Sequence, residues 1–405
     1  MNIYYHTLPN GLRMVHVMTT NQVAWCGLAI NAGSRDEQEG HHGLAHFVEH
    51  TIFKGTEHRR AWHILNRMER VGGELNAYTT KEGTMVYSVF PHQHLARAID
   101  LLADLVQWSV FPQEELDRER DVVLEEAASY RDTPSDAVYD DFEDLLLAGS
   151  ELGHNILGKK EDVERLTRED CLRYLKALYV PTNMVFFSLG PQQPDRVFKT
   201  ADKCFGGMSH VMAPRHRITP PEVAPFKLEI QIGTHQAHTV IGARVPEAGH
   251  PLRYALMLLN NILGGPGMNS LLNVELRERR GYVYTVESTL TMLSDCGWIE
   301  IYLGCDPDDV RSSLRVIERI TGRLSQELLP ERRLEAYKKQ YCGQLVVAAD
   351  STEFLAMRTG RGLLYHGRVA PIEQTIASIN DVTPDDIARA AAFLSADRLS
   401  SLTFR

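Results

Sequence analysis

The sequence predicts an α+β fold made of two homologous domains, in each of which helices cover an antiparallel-rich mixed sheet. The two halves of the chain show the same order of apolar strands and helical segments, and such self-similarity indicates a repeated structural unit. Within each half, segments with the two-residue period of strands are followed by longer segments with a helical period. Sheets covered by helices in this way are typical of the α+β class.

A proline-rich segment, SHVMAPRHRITPPEVAPF, separates the two halves at residues 209–226. Its four prolines and the lack of a sustained apolar period favour an extended connector. We therefore predict an N-terminal domain at 1–208, a linker at 209–226 and a homologous C-terminal domain at 227–405.

Three pairs of segments carry the similarity between the halves. VAWCGLAINAG and GHHGLAHFVEHTIFKG in the first half correspond to HTVIGARVPEAG and GHPLRYALMLLNNILGG in the second. A strand–turn–strand–helix pattern follows in both. Finally, the helical segment EELDRERDVVLEEAASYRDTPSDAVYDDFEDLLL corresponds to ERRLEAYKKQYCGQLVVAADSTEFLAMRTGRGLL.

One predicted strand shows the period especially clearly. Met85, Tyr87 and Val89 alternate with the polar Thr84 and Ser88. This alternation predicts a half-buried strand whose polar side faces solvent.

The composition excludes several classes of protein. Hydrophobic residues make up 43% and charged residues 24% of the 405 residues, which are ordinary globular values. The net charge of -10 argues against broad nucleic-acid binding, which usually leaves a basic surface.

The N-terminus lacks the basic and apolar regions of a secretory signal, and no apolar run approaches the length of a membrane span. Six scattered cysteines without a CxxC pair indicate reduced core thiols. We predict a soluble, cytoplasmic protein without nucleic-acid or membrane partners.

The segment GLAHFVEHTIF places His46, Glu49 and His50 in an otherwise apolar helix. Residues four apart share a helical face, so both imidazoles can reach one ion. Three polar groups in an apolar turn are costly unless something compensates them, and a metal ion does so. Two imidazoles, a carboxylate and a water form a normal catalytic zinc site, and Glu49 is placed to take a proton from that water. The order H-x-x-E-H is the inverzincin signature. The simpler interpretation is three helix residues satisfied by solvent or backbone carbonyls.

A second histidine pair offers an alternative to this site. His42 and His46 are also four apart. The pair has no glutamate in the position of a base, however, and Gly43 weakens the intervening helix. We rank this pair well behind His46 and His50.

The third ligand must come from another segment. The helix that contains RERDVVLEEAASYRD carries four candidate carboxylates: Glu115, Glu119, Glu125 and Glu126. Glu119 and Glu126 are close to two turns apart and share a face, and Val122 and Val123 are predicted to be buried on that side. This pattern favours an inward-facing acidic pair, whereas composition alone favours a solvated charged face.

These residues resemble the M16 peptidase family, which includes insulin-degrading enzyme, the mitochondrial processing peptidases and smaller bacterial relatives. The resemblance spans essentially the whole chain, and it implies the fold of the LuxS/MPP-like metallohydrolases. HFVEH is followed 76 positions after its second histidine by Glu126, as in the family. The resemblance implies that His46, His50 and Glu126 bind one Zn²⁺ per chain, that Glu49 is the catalytic base, and that Glu119 supports the ligands from outside the metal's own shell.

Other matched pieces are NAGSRDE, FKGT and NAYTTKEGTMVYS. In the family the strand that holds Asn76 and Ala77 pairs with the substrate backbone, which is strand addition at a sheet edge. For Asn76 the alternative is an ordinary turn residue.

In the second half, LGGPGMNSLLNVELRERRGYVYTV resembles the family's glycine-rich stretch and its Arg–Tyr pair, here Arg277 and Tyr284. Relatives use that pair to hold the substrate carbonyl and stabilise the oxyanion. The alternative is a solvated basic patch together with Arg279 and Arg280. Pro266 departs from the family's more flexible stretch and puts the local loop shape in doubt.

The two halves differ in their metal chemistry. Aligning FKG with LGG places His46 and His50 opposite Leu256 and Asn260, which are not plausible zinc ligands, so we predict one site per chain. The family closes a chamber from four such domains and this chain supplies two. Because the HxxEH motif and the Arg–Tyr pair both lie in this chain, the resemblance favours a homodimer, with a heterodimer as the alternative. We predict a zinc endopeptidase that acts on peptides or unfolded segments in a closed chamber. A non-catalytic scaffold or assembly subunit is the rival hypothesis, and a metal-binding protein without hydrolytic activity ranks below it.

Overall fold

The computed structural model describes residues 2–214 and 216–405, which form two compact units. Unit 1 consists of the described residues within Met1–Ala127, Asn155–Ile218 and Ala349–Pro371. Unit 2 consists of Ala128–His154, Thr219–Ala348 and Ile372–Arg405. Each unit therefore takes one segment from the opposite half of the chain.

The strands, in chain order, are β1 (Asn2–Thr7), β2 (Arg13–Met18), β3 (Val23–Ile30), β4 (Glu74–Thr79), β5 (Thr84–Pro91), β6 (Met184–Gly190), β7 (Lys227–Ile230), β8 (Ala237–Val245), β9 (Val283–Met292), β10 (Gly297–Cys305) and β11 (Ser400–Phe404). The helices are α1 (Leu44–Thr51), α2 (Ala61–Glu69), α3 (Leu95–Trp108), α4 (Gln113–Arg131), α5 (Pro134–Leu146), α6 (Lys160–Val163), α7 (Arg168–Leu178), α8 (Pro194–Phe205), α9 (Arg253–Gly264), α10 (Val310–Gln326), α11 (Glu331–Ala348), α12 (Thr352–His366), α13 (Ile372–Asn380) and α14 (Pro384–Ala391). A π-helical turn spans Asn273–Glu278. Side-chain caps fix where α7, α12 and α14 begin, at Thr167, Ser351 and Thr383, because each side chain accepts an otherwise unpaired backbone N–H.

The sheet of unit 1 has six strands in the order β1-β2-β6-β3-β5-β4. The pair β2 and β6 is parallel and the other neighbours are antiparallel. β4 lies at one edge, with Asn76 opposite Tyr87 and Ala77 opposite Val86. Asn76 is therefore a strand residue and not a turn residue.

Both faces of this sheet are covered. One face packs against α1 and α3 in the main core of the unit. The other face packs against α12, whose Ala356 and Leu363 join Phe187 in a second apolar cluster. A Cβ on Gly360 would lie 2.8 Å from the Phe187 ring, so the glycine allows α12 to approach the sheet closely.

The two-sided cover corrects the prediction that β5 is half-buried with Thr84 and Ser88 facing solvent. Both are buried, at 1% and 0% exposure. Their hydroxyls donate to backbone carbonyls, Ser88 to Glu74 at 2.6 Å and Thr84 to Ala32 at 2.8 Å. Small hydroxyl side chains are tolerated inside because each hydrogen bond is satisfied.

The sheet of unit 2 has five strands in the order β7-β11-β8-β10-β9. Only β7 and β11 are parallel neighbours among its described pairs. Helices α9, α10 and α14 form the main core on one face. On the other face α5 places Val138 and Phe142 against Trp298 and Leu402.

The predicted fold class is confirmed: each unit is an α+β structure with a mixed, mostly antiparallel sheet under helices. The described residues of the predicted linker contain no helix or strand. The division at 1–208, 209–226 and 227–405 stays a prediction about consecutive segments. The packing units differ from it, since Ala128–His154 packs in unit 2 and Ala349–Pro371 in unit 1. None of the six cysteines forms a disulfide bond, and four of them are buried.

Candidate metal centre

Helix α1 is anchored at its start and along its apolar side. Gly43 precedes it with φ 94°, a left-handed conformation that glycine adopts without strain. The buried Glu37 carboxylate accepts the backbone N–H groups of Gly43 at 2.9 Å and Ala45 at 2.7 Å. Phe47 and Val48 are fully buried. These contacts fix the rotation of the helix, and so they fix where His46, Glu49 and His50 point.

Helix α4 presents the two candidate carboxylates toward α1. Its Leu116 and Val123 are fully buried and hold the helix on the core. Val122 was predicted to be buried as well, but 47% of it is exposed. Consecutive residues are about 100° apart around a helix, so only Val123 shares the inward side.

The three predicted ligands converge. His46, His50 and Glu126 each offer one donor atom, and these atoms all lie within 4.8 Å of one another. Glu126 Oε2 is 3.7 Å from His46 Nε2 and 3.3 Å from His50 Nε2, and the imidazole centroids are 4.6 Å apart. Among the described residues this is the group of His, Cys, Asp and Glu side chains that could hold a metal ion.

The electrostatics of the cluster suit a cation. Burial, and secondarily the neighbouring His50, lowers the pKa of His46 to about 4, so its imidazole is neutral near pH 7 and its lone pair is available. His46 Nδ1 is buried without a hydrogen-bond partner in the described part of the chain. Two imidazoles and one carboxylate are a donor set that fits zinc, with room for a further ligand.

Glu49 lies beside the ligands on the same helix. Burial raises the pKa of its carboxyl, and Glu126 raises it further, while Thr79 and His50 act in the opposite direction. Thr79 is the last residue of β4. Thr79, at the end of the edge strand, is therefore a close neighbour of the Glu49 side chain.

Glu119 contacts the cluster from the side. Its Oε2 lies 3.3 Å from His50 Nδ1, and its Oε1 lies 2.6 Å from Lys54 Nζ. Carboxylates that accept the second N–H of a ligating histidine fix the ring and its tautomer. The position of Glu119 agrees with the supporting role that the resemblance implies, which stays a prediction.

Among the described residues, no group that could hold a metal ion contains His42 of the rival histidine pair. His42 precedes α1, and its Nδ1 lies 3.6 Å from Asp162. In unit 2 the positions that correspond to the two histidines are also occupied differently. Leu256 is fully buried, and Asn260 donates to the Ser288 carbonyl at 3.0 Å. Among its described residues, unit 2 contains no metal-binding group.

Arg277 and Tyr284 belong to unit 2, and both are exposed. Arg277 lies in the π-helical turn. Tyr284 is in β9, where its hydroxyl donates to Asp306 at 3.0 Å. Arg279 and Arg280 both pair with Glu275, so they form a separate local ion-pair cluster. The role of Arg277 and Tyr284 stays a prediction.

Sequence reasoning assigned no role to Glu37, Lys54 or Thr79. Glu37 ends the quoted piece NAGSRDE, Lys54 lies in FKGT, and Thr79 lies in NAYTTKEGTMVYS. The match of these pieces to the family was the only sequence signal for the three residues. The spacing of the pieces does not predict the contacts that the residues make, because each contact joins segments that meet only in the folded protein.

Comparison with known proteins shows which proteins this chain is similar to. A protein-family model described as "Insulinase (Peptidase family M16)" matches residues 13–160 of the sequence. A second family model, described as "Peptidase M16 inactive domain", matches residues 165–341. A protein of Bacillus subtilis named an uncharacterized zinc protease is 32% identical over 93% of this chain and 92% of its own length. The mitochondrial-processing peptidase subunit beta of Bos taurus is 29% identical over 94% of this chain and 79% of its own length.

The fold is shared with solved structures. The crystal structure of a protease from Helicobacter pylori superposes with a TM-score of 0.92 and 21% identity, over 100% of this chain and 99% of that one. The repeated α+β fold and the His/Glu cluster, which could hold a metal ion, fit the class of metallopeptidases. Within that class the chain belongs to the M16 peptidase family. In the described residues, no helix combines the length and apolar character needed to cross a membrane.

Proposed function

We propose that this protein is a zinc-dependent endopeptidase that hydrolyses peptides or unfolded polypeptide segments. The observation that carries the proposal is the convergence of His46, His50 and Glu126 within 4.8 Å, with Glu49 on the same helix as the two histidines. The names of the relatives, which are zinc proteases, support it.

In this proposal His46, His50 and Glu126 hold one zinc ion per chain. A bound zinc ion polarises a carbonyl group and lowers the pKa of water toward about 7. The neutral state of His46 favours binding, because no proton has to leave before its nitrogen becomes a ligand. The carboxylate of Glu126 supplies the negative charge that the two imidazoles lack.

Glu49 acts as the general base. Burial raises the pKa of its carboxyl above the usual range, which brings its proton affinity closer to that needed for transfer near neutral pH. It takes a proton from the attacking water and returns it to the amine that leaves. Glu49 can serve first as the base and then as the acid, because both proton transfers occur at the same carboxyl group, one after the other.

The edge strand β4 is the proposed docking site for the substrate backbone. β4 pairs with β5 on one side only in the described sheet, and Thr79 at its end lies at Glu49. A peptide that adds to this edge beside Asn76 and Ala77 would run toward the base. Main-chain pairing gives affinity with little side-chain selection, which suits varied peptide substrates.

The remaining parts of the proposal come from the family resemblance. Arg277 and Tyr284, supplied by a partner subunit or by the same chain, would stabilise the oxyanion of the tetrahedral intermediate. A homodimer with two equivalent sites would close the chamber, and a heterodimer with a related subunit is the alternative assembly. We keep the cytoplasm as the proposed location.

A single experiment tests the proposed activity against the scaffold hypothesis. Cleavage of a mixed peptide pool is mapped by mass spectrometry with the native protein, with chelator-treated protein, and after zinc is restored. We expect internal cuts that chelator abolishes and zinc restores. Zinc bound at one equivalent without any cut would favour a metal-binding scaffold, and cuts that survive removal of the metal would contradict a metallopeptidase.

A further inference from the structure

Lys54 reaches the candidate metal centre through Glu119. Its Nζ lies 2.6 Å from Glu119 Oε1, and Glu119 Oε2 lies 3.3 Å from His50 Nδ1. The other nitrogen of the same ring, His50 Nε2, faces Glu126 at 3.3 Å. The contacts therefore form a continuous chain from an ammonium group to a ligand atom.

Both ends of this series of contacts, from Lys54 to His50, are held in place by the fold. Lys54 follows α1, and its backbone N–H donates to the Thr51 carbonyl at 3.0 Å, so Lys54 and His50 move with one helix terminus. Glu119 comes from α4. The two groups of the ion pair are largely shielded, with 24% of the lysine and 13% of the glutamate side chain exposed. Shielded pairs are screened less by water and salt than surface pairs.

The chemistry of the two side chains explains what the pair can do. An ammonium group only donates hydrogen bonds, so Lys54 occupies one carboxylate oxygen and leaves the other to accept from His50 Nδ1. An imidazole that donates through Nδ1 carries its lone pair on Nε2, which is the nitrogen that faces Glu126. Lys54 also offsets negative charge where Glu49, Glu119 and Glu126 come together.

We propose that Lys54 is a positioning residue of the metal centre, which holds Glu119 in the orientation that fixes the His50 ring and its tautomer. The inference rests on the proposed function, because that orientation matters only if the centre binds a metal. Without the ammonium group, the Glu119 carboxylate loses one of its two anchors and turns away from His50.

The test measures zinc affinity directly, by competition with a chromophoric chelator. Replacement of a residue that supports a metal ligand typically lowers metal affinity by about 10–100-fold. We therefore expect Lys54→Met to weaken zinc binding by about 10-fold or more. Lys54→Arg keeps the charge and is expected to remain within about 3-fold of the native protein. Lys160→Met is the matched control, since Lys160 is 71% exposed and pairs only loosely with Glu164, at 3.8 Å. Thermal unfolding of the metal-free variants checks that each is folded, and Lys54→Gln replaces the methionine variant if that does not fold.

A double-mutant cycle shows whether Lys54 acts through Glu119. In a Glu119→Gln background, Lys54→Met is expected to change zinc affinity by less than about 2-fold, since the intermediary is already neutral. The proposal is overturned if Lys54→Met binds zinc like the native protein, or if it weakens binding equally in both backgrounds. Peptide hydrolysis by the native protein is measured in parallel: zinc binding without cleavage would reject the proposed function and leave the affinity comparison intact.

Discussion

The Glu37 carboxylate accepts the backbone N–H of Ala45 at 2.7 Å, directly before His46 in the chain. The same carboxylate accepts the N–H of Gly43. A buried acidic side chain thus replaces the usual Ser, Thr or Asp cap of a helix and satisfies donors that the helix itself leaves unpaired.

Loss of this cap is expected to destabilise the fold. Glu37→Ala leaves two buried backbone donors without their acceptor, and we expect the free energy of unfolding to fall by about 2 kcal/mol. Urea unfolding of the zinc-free protein measures the change. The exposed Glu39 provides the control, because Glu39→Ala should change stability by less than about 0.5 kcal/mol. Equal stability of both variants would show that the cap does not hold the helix.

Replacement of Glu49 tests the proposed base. Glu49→Gln keeps the size of the side chain and removes its ability to take a proton, so we expect turnover to fall by about 10²–10⁴-fold with one zinc still bound. Peptide cleavage and zinc content are measured on the same sample. The nearby exposed Glu125 is the control, since Glu125→Gln should cleave at the native rate. Substantial activity in a zinc-loaded Glu49→Gln protein would refute the assignment.

The buried His46 makes the stability of the zinc-free protein depend on pH. Its pKa is about 4 in the folded protein, below the usual 6.5, so the unfolded chain binds its proton first as the pH falls. The stabilisation is therefore complete above pH 6.5 and is lost on acidification toward pH 4. Between pH 7.5 and pH 5 the loss is expected to be about 2 kcal/mol.

Urea unfolding at both pH values measures this loss against two variants. His46→Gln should lack that part of the pH dependence. His63→Gln should retain it, because His63 is exposed. If the free energy of unfolding changed equally with pH in all three proteins, groups other than His46 would be responsible for the acid sensitivity.

Arg277 and Arg279 lie two residues apart and are predicted to behave differently. Arg279 is paired with Glu275 at 2.5 Å, whereas the family resemblance assigns Arg277 to the developing oxyanion. We expect Arg277→Ala to lower kcat by about 10²-fold, with zinc affinity unchanged. Arg279→Ala should leave kcat within about 2-fold. Steady-state kinetics with a quenched peptide gives both values, and similar kcat values for the two variants would support the solvated basic patch.

Local patterns predicted α1 and its polar side chains because a four-residue spacing fixes which residues share a helical face. They could not select Glu126 among the carboxylates of α4, since the contact with α1 is set by tertiary packing. The family resemblance supplied that choice, and the structure brings the Glu126 carboxylate to both imidazoles.

The errors have the same origin. Ser88 was expected at a solvated face because its neighbours alternate, yet it lies on the same side of β5 as Val86 and Phe90, which belong to the main core, while α12 covers the opposite side. A period in the sequence reports which residues share a face and not what lies on it. The prediction for Val122 was wrong for a related reason. The core contacts only a narrow side of α4, and of the two valines only Val123 lies on that side.

The exchange of segments between the units affects how the chain can be made. Unit 1 receives α12 from Ala349–Pro371, which leaves the ribosome long after the strands that it covers. Until then one apolar face of the first sheet has no partner within its own unit, and exposed apolar surface of this kind promotes aggregation. We therefore expect synthesis of this protein to depend more on chaperones than that of a simple tandem of self-sufficient domains.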